Sequence, residues 1–288
     1  LQTFVAVVSL TALVLAAAQP VAVRYPLGTL HGYPSMSDAA GKVIANGELT
    51  QEVAGDRAVV HIRWEFADGR RAEERDEFRA GRTLAQERFS WMEAKGGIEH
   101  RRFEVDFSTG KATSSVRDEK GHVDRDEKRL DLPRGRSFTG YGAALAVTQL
   151  ALGPGEKAEI TFVAFTAKPR TVTLEARREG EEPIGVSGRF IACDRYTLHP
   201  KIPFPLDLIA GAQDAHLWLS HAAPPSLVRA EQNLVTKDDP QVVIDVTPRG
   251  AAHPAGAARA RRGQRSAPRE PASQGSAGAS PADGRRSK

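Results

Sequence analysis

The chain has 288 residues, with 40 lysines and arginines against 36 aspartates and glutamates. This length allows one large or two ordinary domains and is ample for a hydrophobic core. The single cysteine, Cys193, excludes an internal disulfide framework and a zinc site built from cysteines. The body of the chain holds no apolar stretch of about 18 residues or more, which excludes a polytopic helical membrane protein.

Residues 4–18 form an uncharged apolar segment, FVAVVSLTALVLAAA. Its length is typical of the hydrophobic region of a signal peptide, and it is shorter than the roughly 20 residues with which a helix crosses a bilayer. We expect cleavage after Ala18 and export to the periplasm or the extracellular space. A buried core helix and an uncleaved anchor are the alternatives. In an oxidising compartment, a lone thiol at Cys193 predicts a buried position.

From Val43 to Arg129 the sequence predicts strands joined by short turns. In residues 57–66 (RAVVHIRWEF) apolar and polar side chains alternate, and Asp68-Gly69 follows as a hairpin turn. Because glycine-containing turns recur at spacings of about ten residues, we expect an antiparallel meander. Its further strands are predicted at 71–78, 84–92, 99–107, 111–118 and 123–132.

Residues 140–152, GYGAALAVTQLAL, are rich in alanine, nearly uncharged and followed by Gly153-Pro154. A helix that is apolar on almost all sides is predicted to be buried. About twelve antiparallel strands in one sheet must curl or close. We therefore expect a mainly β fold, a large curved antiparallel meander forming a half-barrel with one buried helix in its concavity. The strands after the helix are predicted at 159–167, 170–178, 185–190, 195–199, 215–221, 227–234 and 241–246.

The basic character of the chain is concentrated in residues 249–288, where nine Lys or Arg residues and two acids give a net charge of +7 and leave −3 for the rest. This segment has no large apolar residue, so it is predicted to be disordered. The expected organisation is a signal peptide at 1–18, a single β-rich domain at 19–248 and a disordered basic tail at 249–288. Without aromatic residues to stack on bases, the tail predicts no nucleic-acid partner. Anionic lipid or a cell-wall polymer fits its charge, and an inert solubilising tail is the alternative.

The predicted strands at 71–78 and 99–107 contain runs dense in charge, at 73–77 and 99–104. In a concave cavity their carboxylates would be acid–base candidates and nearby arginines would be anion clamps. The alternative is a ladder of cross-strand ion pairs on a solvated sheet face. The candidate residues of this charged face are Glu74, Asp76, Arg88 and Arg102.

Other catalytic or metal-binding patterns are missing from the sequence. His216 and His221 are five residues apart, which places them on opposite faces of a strand. Residues 185–188 lack the second spacer of a nucleophile elbow, and residues 140–142 lack the third glycine of a dinucleotide loop. We therefore expect no metal site, no cofactor and no assignable catalytic residue.

The segment HPKIPFPLDLI at 199–209 combines three prolines with several large apolar residues. It would form a lid over a lipid-sized cavity or a surface that touches a membrane or a partner. Alternatively, it plugs one open end of the barrel and completes the core. The candidate ligand-binding residues are Tyr141 and Leu145 of the helix, and Ile202, Phe204, Leu206 and Ile209 of this segment.

Four short strings carry a resemblance to a known kind of protein: FADGRRA at 66–72, ERFSW at 87–91, RFEVDF at 102–107 and HPKIP at 199–203. Over residues 24–246 the chain resembles uncharacterised secreted bacterial β-rich proteins of the domain-of-unknown-function kind. Related groups are similar to the lipoprotein-carrier half-barrel, a curved antiparallel sheet over helices that shelters an acyl chain. The resemblance implies fold and compartment and supplies no catalytic residues. The charged strands depart from the carrier, whose concave face is richly apolar.

The sequence thus favours a non-enzymatic exported envelope protein that binds or scaffolds an amphiphilic or lipid-like ligand. A hydrolase-like enzyme using Glu74, Asp76 and Arg102 is one alternative, and a purely structural envelope protein is another. The first alternative requires the carboxylates of both charged strands to line one enclosed pocket.

Overall fold

The computed structural model describes residues 19–165, 168–186, 189–201 and 213–246. These residues contain one helix, α1 (Tyr141–Leu150), and 18 strands. In chain order the strands are β1 (Leu30–Gly32), β2 (Ser35–Asp38), β3 (Val43–Ala54), β4 (Arg57–Phe66), β5 (Arg70–Ala80), β6 (Leu84–Lys95), β7 (Ile98–Asp106), β8 (Lys111–Arg117), β9 (Val123–Arg129), β10 (Ser137–Phe138), β11 (Lys157–Ala164), β12 (Arg170–Glu181), β13 (Ile184–Val186), β14 (Arg189–Ile191), β15 (Cys193–Lys201), β16 (Ala215–Ser220), β17 (Leu227–Asn233) and β18 (Gln241–Asp245).

Sixteen of these strands form one sheet with the order β10-β11-β12-β15-β16-β17-β18-β2-β3-β4-β5-β6-β7-β8-β9, and β1 pairs with β3 beside this path. Its neighbours are antiparallel, apart from β10 and β11, which pair in parallel. The order begins at β10 and ends at β9 with no pairing between these two edges, so the sheet is open and not closed into a barrel. The predicted mainly β half-barrel is confirmed.

The structure adds β3, for which the sequence analysis gave no separate bounds, and several short strands. β1, β2 and β10 have two to four residues each, too few to display a period of two in the sequence. The segment predicted as one strand at 185–190 instead contributes to β13 and β14, which pair with each other in a separate two-stranded sheet. Cys193 at the start of β15 is fully buried, as predicted.

The meander buries one side of each strand because its side chains alternate. In β4, Val60, Ile62 and Trp64 are buried, whereas Val59, His61 and Arg63 between them are half-buried or exposed. Such alternation is the expected behaviour of a sheet with one face on the core and one face toward water. A small separate cluster lies around Trp218. Most other buried apolar side chains of the strands, together with those of α1, form the main hydrophobic core on the concave side of the sheet.

The helix lies inside this core, and every residue from Gly142 to Gln149 is buried. The side-chain oxygen of Gln149 accepts hydrogen bonds from the backbone nitrogens of Arg24 and Tyr25, at 2.9 and 3.0 Å. These bonds tie the last turn of α1 to the segment that precedes β1. Across the described ranges, no helix combines the length and the apolar character needed to span a membrane.

Arg101 on β7 joins two distant parts of the sheet. Its guanidinium donates to both carboxylate oxygens of Asp239, at 2.8 and 2.9 Å, and to Glu93 at 2.6 Å. Asp239 lies in the connection between β17 and β18, and six strands separate β17 from β7 in the sheet order. The three side chains are each at most 15% exposed, so this ion-pair cluster is largely shielded from water.

We expect the replacement of Arg101 to destabilise the protein much more than the replacement of its neighbour Arg102. Replacing Arg101 by Gln leaves two buried carboxylates with less compensation and should lower the free energy of unfolding by about 3 kcal/mol. Arg102→Gln is the matched control, since Arg102 is 42% exposed and its ion pairs with Glu99 and Glu104 are screened by water. That variant should lose no more than about 1 kcal/mol. Urea unfolding of both variants measures the difference, and equal losses would contradict the assignment.

Candidate functional site

A cavity of about 530 Å³ lies on the concave side of the half-barrel. Its volume is within the range of about 300–1,000 Å³ that is usual for small-molecule sites. Apolar side chains from β4, β6, β11, β12 and β16 make up much of its wall. They include Ile62, Trp64, Phe89, Trp91, Phe162, Leu174 and Leu217.

The first turn of α1 forms part of the cavity wall through Gly140, Tyr141, Ala143 and Ala144. Of the two helix residues predicted to bind a ligand, Tyr141 therefore lies at the cavity. Leu145 is buried in the hydrophobic core and is not among the described residues that line the cavity.

The four candidates of the Pro-rich segment, Ile202, Phe204, Leu206 and Ile209, lie outside the described residues. The described residues on either side of that stretch are at the cavity. Pro200 and Lys201 precede it, Gln213 follows it, and these three residues line the cavity.

The four candidates of the charged face occupy two faces of the sheet. Glu74 and Asp76 are 8% and 0% exposed and face the core. Glu74 is paired in register with Trp91, and Trp91 with Phe103. Arg102 is the neighbour of Phe103 along β7, so the alternation of side chains places it on the outer face.

Arg88 lies on the outer face too, exposed and between Glu77 and Asp106 in the strand register. The four charged-face candidates therefore do not share one face of the sheet. On the outer face the predicted ladder of ion pairs is present, and Arg102 donates to Glu99 at 2.5 Å and to Glu104 at 3.4 Å. Glu74 and Asp76 lie on the inner face, apart from both arginines. The grouping of Glu74, Asp76 and Arg102 that a hydrolase-like enzyme would need does not form.

The sequence held a signal for this division. β5 is charged at most positions, but Ala72 and Phe78 flank the run at even positions, where Glu74 and Asp76 lie as well. Side chains two residues apart share a face of a strand, so the two apolar residues mark the even positions as the buried face. The charged residues at the odd positions of β5 point outward.

Glu74 binds the N-terminus of α1. Its Oε1 atom accepts a hydrogen bond of 2.6 Å from the backbone nitrogen of Tyr141. The N-cap residue of the helix is Gly140, which has no side chain to make such a bond. The unpaired backbone N–H groups at a helix N-terminus favour a carboxyl partner. Glu74 therefore caps the helix from the sheet.

Two glycines permit this close approach. Gly140 has φ of +51°, and a Cβ atom on it would lie 2.2 Å from Glu74 Oε1 and 2.5 Å from Phe89 Cε2. A Cβ atom on Gly142 would lie 2.6 Å from Gln86 Oε1. The GYG sequence that opens the helix is thus explained by contact with side chains of β5 and β6.

Asp76 is held beside Glu74 by Gln86. The Gln86 amide donates to Asp76 Oδ1 at 2.6 Å and to the carbonyl oxygen of Thr139 at 3.2 Å. Its own oxygen accepts a hydrogen bond of 2.8 Å from the Thr139 backbone nitrogen. The Thr139 hydroxyl donates in turn to the carbonyl oxygen of Val163 at 2.8 Å. A continuous polar network thus links β5, β6, β11 and the residues before α1.

Glu74 and Asp76, here called the carboxyl pair, share an environment that disfavours charge. Burial raises the pKa of Asp76 well above its ordinary value, and the adjacent carboxyl of Glu74 raises it further. Burial also raises the pKa of Glu74, against the opposing effect of the Tyr141 hydrogen bond. The Oδ2 atom of Asp76 is buried and has no hydrogen-bond partner among the described residues. Burial, followed by the charges of Asp76 and Glu74, raises the pKa of Tyr141 to about 12.

The carboxyl pair has no positive partner within the described part of the chain. No Lys, Arg or His forms a salt bridge with either carboxyl there, and the causes of their pKa shifts include no basic side chain. This separates the pair from other buried acids such as Glu93, which binds Arg101 and Arg70.

A second cluster of titratable groups joins the ends of β12, β15 and β16. Ligand atoms of Glu181, Asp194 and His221 lie within 4.8 Å of one another, so these are the described residues that could hold a metal ion. The Arg178 guanidinium, however, donates to Asp194 Oδ1 at 2.6 Å, and His221 Nε2 lies 2.9 Å from the same oxygen. As it stands, the cluster is an ion-pair network centred on Asp194. His216, the other histidine considered in the sequence, lies 3.2 Å from the Thr197 hydroxyl instead.

Replacing Gly140 by Ala tests the approach of helix to sheet. The added methyl group would overlap the Glu74 carboxyl in a backbone conformation that disfavours side chains, so we expect a loss of about 3 kcal/mol in unfolding free energy. Gly81→Ala is the control, because no atom lies within 4 Å of a Cβ placed there. It should change stability by less than about 1 kcal/mol. Chemical denaturation of both variants gives the comparison, and a Gly140→Ala protein as stable as the parent would refute the capping contact.

Replacing Asp76 by Asn tests the raised pKa of the carboxyl pair. Because the folded pKa lies above the unfolded one, the pair contributes its stability below the unfolded pKa and loses it as the pH rises through the folded pKa. Asn cannot ionise, so the variant should gain stability relative to the parent as the pH rises from about 4 to 8. The gain is limited to about 1.4 kcal/mol per pH unit for each proton.

The measurement is urea unfolding of parent and variant at several pH values. Glu104→Gln on the outer face serves as the control, since Glu104 is exposed and belongs to the outer ladder. The difference in unfolding free energy between Glu104→Gln and the parent should not rise over the same pH range. If the difference in unfolding free energy between Asp76→Asn and the parent were also independent of pH, the pair would be ionised in the folded protein.

Comparison with known proteins gives likeness in structure only. No protein-family model matches the chain, and no curated protein matches it. Among solved structures, the chain is similar to the hypothetical lipoprotein YmcC from Escherichia coli (K12), with 11% identity over 77% of this chain and 86% of that one and a TM-score of 0.33. It is also similar to a β-barrel-like protein of the domain of unknown function DUF1849 from Brucella abortus, with 9% identity over 76% and 97% of the two chains and a TM-score of 0.43. Both, like the proteins that the sequence resembles, have no known function.

Proposed function

We propose that the protein is an exported, non-enzymatic binding protein of the bacterial envelope, and that its cavity takes up an amphiphilic or lipid-like molecule. The observation that carries the proposal is the cavity of about 530 Å³ with a largely apolar wall in the concave side of the half-barrel. Each methylene group that moves from water into such a wall gains about 0.8 kcal/mol. A short hydrocarbon chain therefore gains enough to bind.

Polar side chains that line the cavity support an amphiphile over a pure hydrocarbon. Lys201, Gln213 and Lys237 line the cavity and are exposed, so they mark the part of the wall that meets water. Lys201 is paired with Glu159 and Glu175 at 2.5 and 3.0 Å, and its charge is thereby compensated. A ligand with one polar end and one apolar part matches this distribution.

The compartment rests on the sequence. The apolar segment at 4–18 supports export, and periplasmic or extracellular location follows from it. By its net charge of +7, the segment at 249–288 suits anionic lipid or a cell-wall polymer as a further partner. No nucleic acid and no cofactor belong to this proposal.

Filling the cavity tests the proposal. Ala144 lines the cavity from the first half of α1, and a Phe in its place should occupy part of the free volume. After expression with export in a bacterial host, mass spectrometry of an organic extract should detect an amphiphile bound to the parent protein at close to one equivalent. Ala144→Phe should lower its occupancy at least about tenfold, a loss of about 1.4 kcal/mol.

The control is Ala67→Phe, which makes the same change at an exposed turn residue between β4 and β5. It should retain the amphiphile at the level of the parent. Extracts free of any such compound, also after addition of lipids from the native host, would overturn the binding function and favour a purely structural envelope protein.

A further inference from the structure

The carboxyl pair gives the cavity a chemical preference that its apolar wall does not. Glu74 is the one acidic residue among the described residues that line the cavity. Asp76 stands directly behind it, two residues along the same face of β5. A carboxyl without a positive partner in an apolar interior either stays protonated or binds a cation supplied from outside.

Aromatic rings surround Glu74 at the cavity wall. Trp91 is its direct partner in the strand register, and Phe89 is the partner of Asp76. Tyr141 begins the helix that Glu74 caps, and all of these aromatic residues line the cavity. Aromatic faces combined with a carboxylate are the groups with which proteins bind organic ammonium ions, because the ring faces attract positive charge.

We propose that the ligand carries an amine or another organic cation, whose positive end binds Glu74 between Phe89, Trp91 and Tyr141. This inference rests on the proposed function, because it assigns the polar end of the amphiphile that the cavity takes up. An ammonium group would supply the charge that the carboxyl pair lacks. An anionic headgroup at the same place would find no positive partner in the carboxyl pair, so we expect it to bind there less well.

Binding of such a cation is coupled to protonation of the carboxyl pair. Burial raises the pKa of both carboxyls, which favours the protonated form of the pair in the free protein. An ammonium ion favours the ionised form of Glu74, so the proton leaves for the buffer as the ligand enters. Neutral ligands of the same length leave the proton in place.

Three probes with the same alkyl chain test the inference: dodecylamine, dodecanol and dodecanoate, each used as monomer below its aggregation limit. Isothermal titration of the full chain at pH 7 should show dodecylamine binding at least about tenfold more tightly than dodecanol, with dodecanoate weakest. Repeating the dodecylamine titration in buffers of different ionisation enthalpy should reveal release of up to about one proton.

Glu74→Gln keeps an oxygen that can accept the Tyr141 hydrogen bond, so the helix cap is preserved while the charge is removed. This variant should bind dodecanol as the parent does and lose both the preference for the amine and the proton release. Glu104→Gln, on the outer face, should keep both.

The outcomes separate the two proposals. Equal binding of the three probes, a preference for dodecanoate, or a Glu74→Gln protein that still prefers the amine would overturn the cationic ligand while leaving the binding function intact. Failure of all three probes to bind would overturn the proposed amphiphile cavity and this inference with it.

Discussion

The hydrogen bond from the Tyr141 backbone to Glu74 is the contact on which the interior of the half-barrel depends. A buried helix must find partners for the N–H groups of its first turn, and here its N-cap is a glycine without a side chain. The sheet supplies the missing acceptor through Glu74. Gly140 and Gly142 bring the helix close enough, at positions where a Cβ atom would overlap Glu74 or Gln86. This contact holds the start of the helix against the sheet, where Tyr141 and Glu74 both line the cavity.

The buried acidic side chains of the half-barrel lie in two different environments. Glu93 and Asp239 share Arg101, so charge is compensated within the chain, and the contact holds distant strands together. The carboxyl pair has hydrogen-bond donors from Gln86 and Tyr141 but no described positive partner. The Arg101 cluster stabilises the charged form of its carboxylates, whereas the surroundings of the carboxyl pair favour the protonated form. Glu74 lines the cavity, whereas Arg101, Glu93 and Asp239 are not among the described residues that line it.

Charged residues on the outer face of the sheet differ in their surroundings from the carboxyl at the cavity wall. The outer face carries ion pairs such as those of Arg102, which keep a sheet soluble and contribute little individually. Glu74 is the one acidic residue among the described residues of the cavity wall, much of which is apolar. Most other charged residues of β5 and β7 lie on the outer face. Arg70 and Arg101 instead pair with the buried Glu93.

The sequence by itself determined the local elements. The alternation in residues 57–66 predicted β4 with the bounds it has, and the alanine-rich run at 140–152 predicted α1 to within two residues, because both patterns are fixed by backbone geometry. Tertiary structure decided which charges meet. Glu74 and Asp76 lie on the opposite face of the sheet from Arg88 and Arg102, because a shift of one residue along a strand moves a side chain to the other face. The ion pair of Asp239 with Arg101 joins residues that are 138 positions apart in the chain. Local periodicity tells which residues share a face of one strand, whereas contact between strands depends on the register and curvature of the whole sheet.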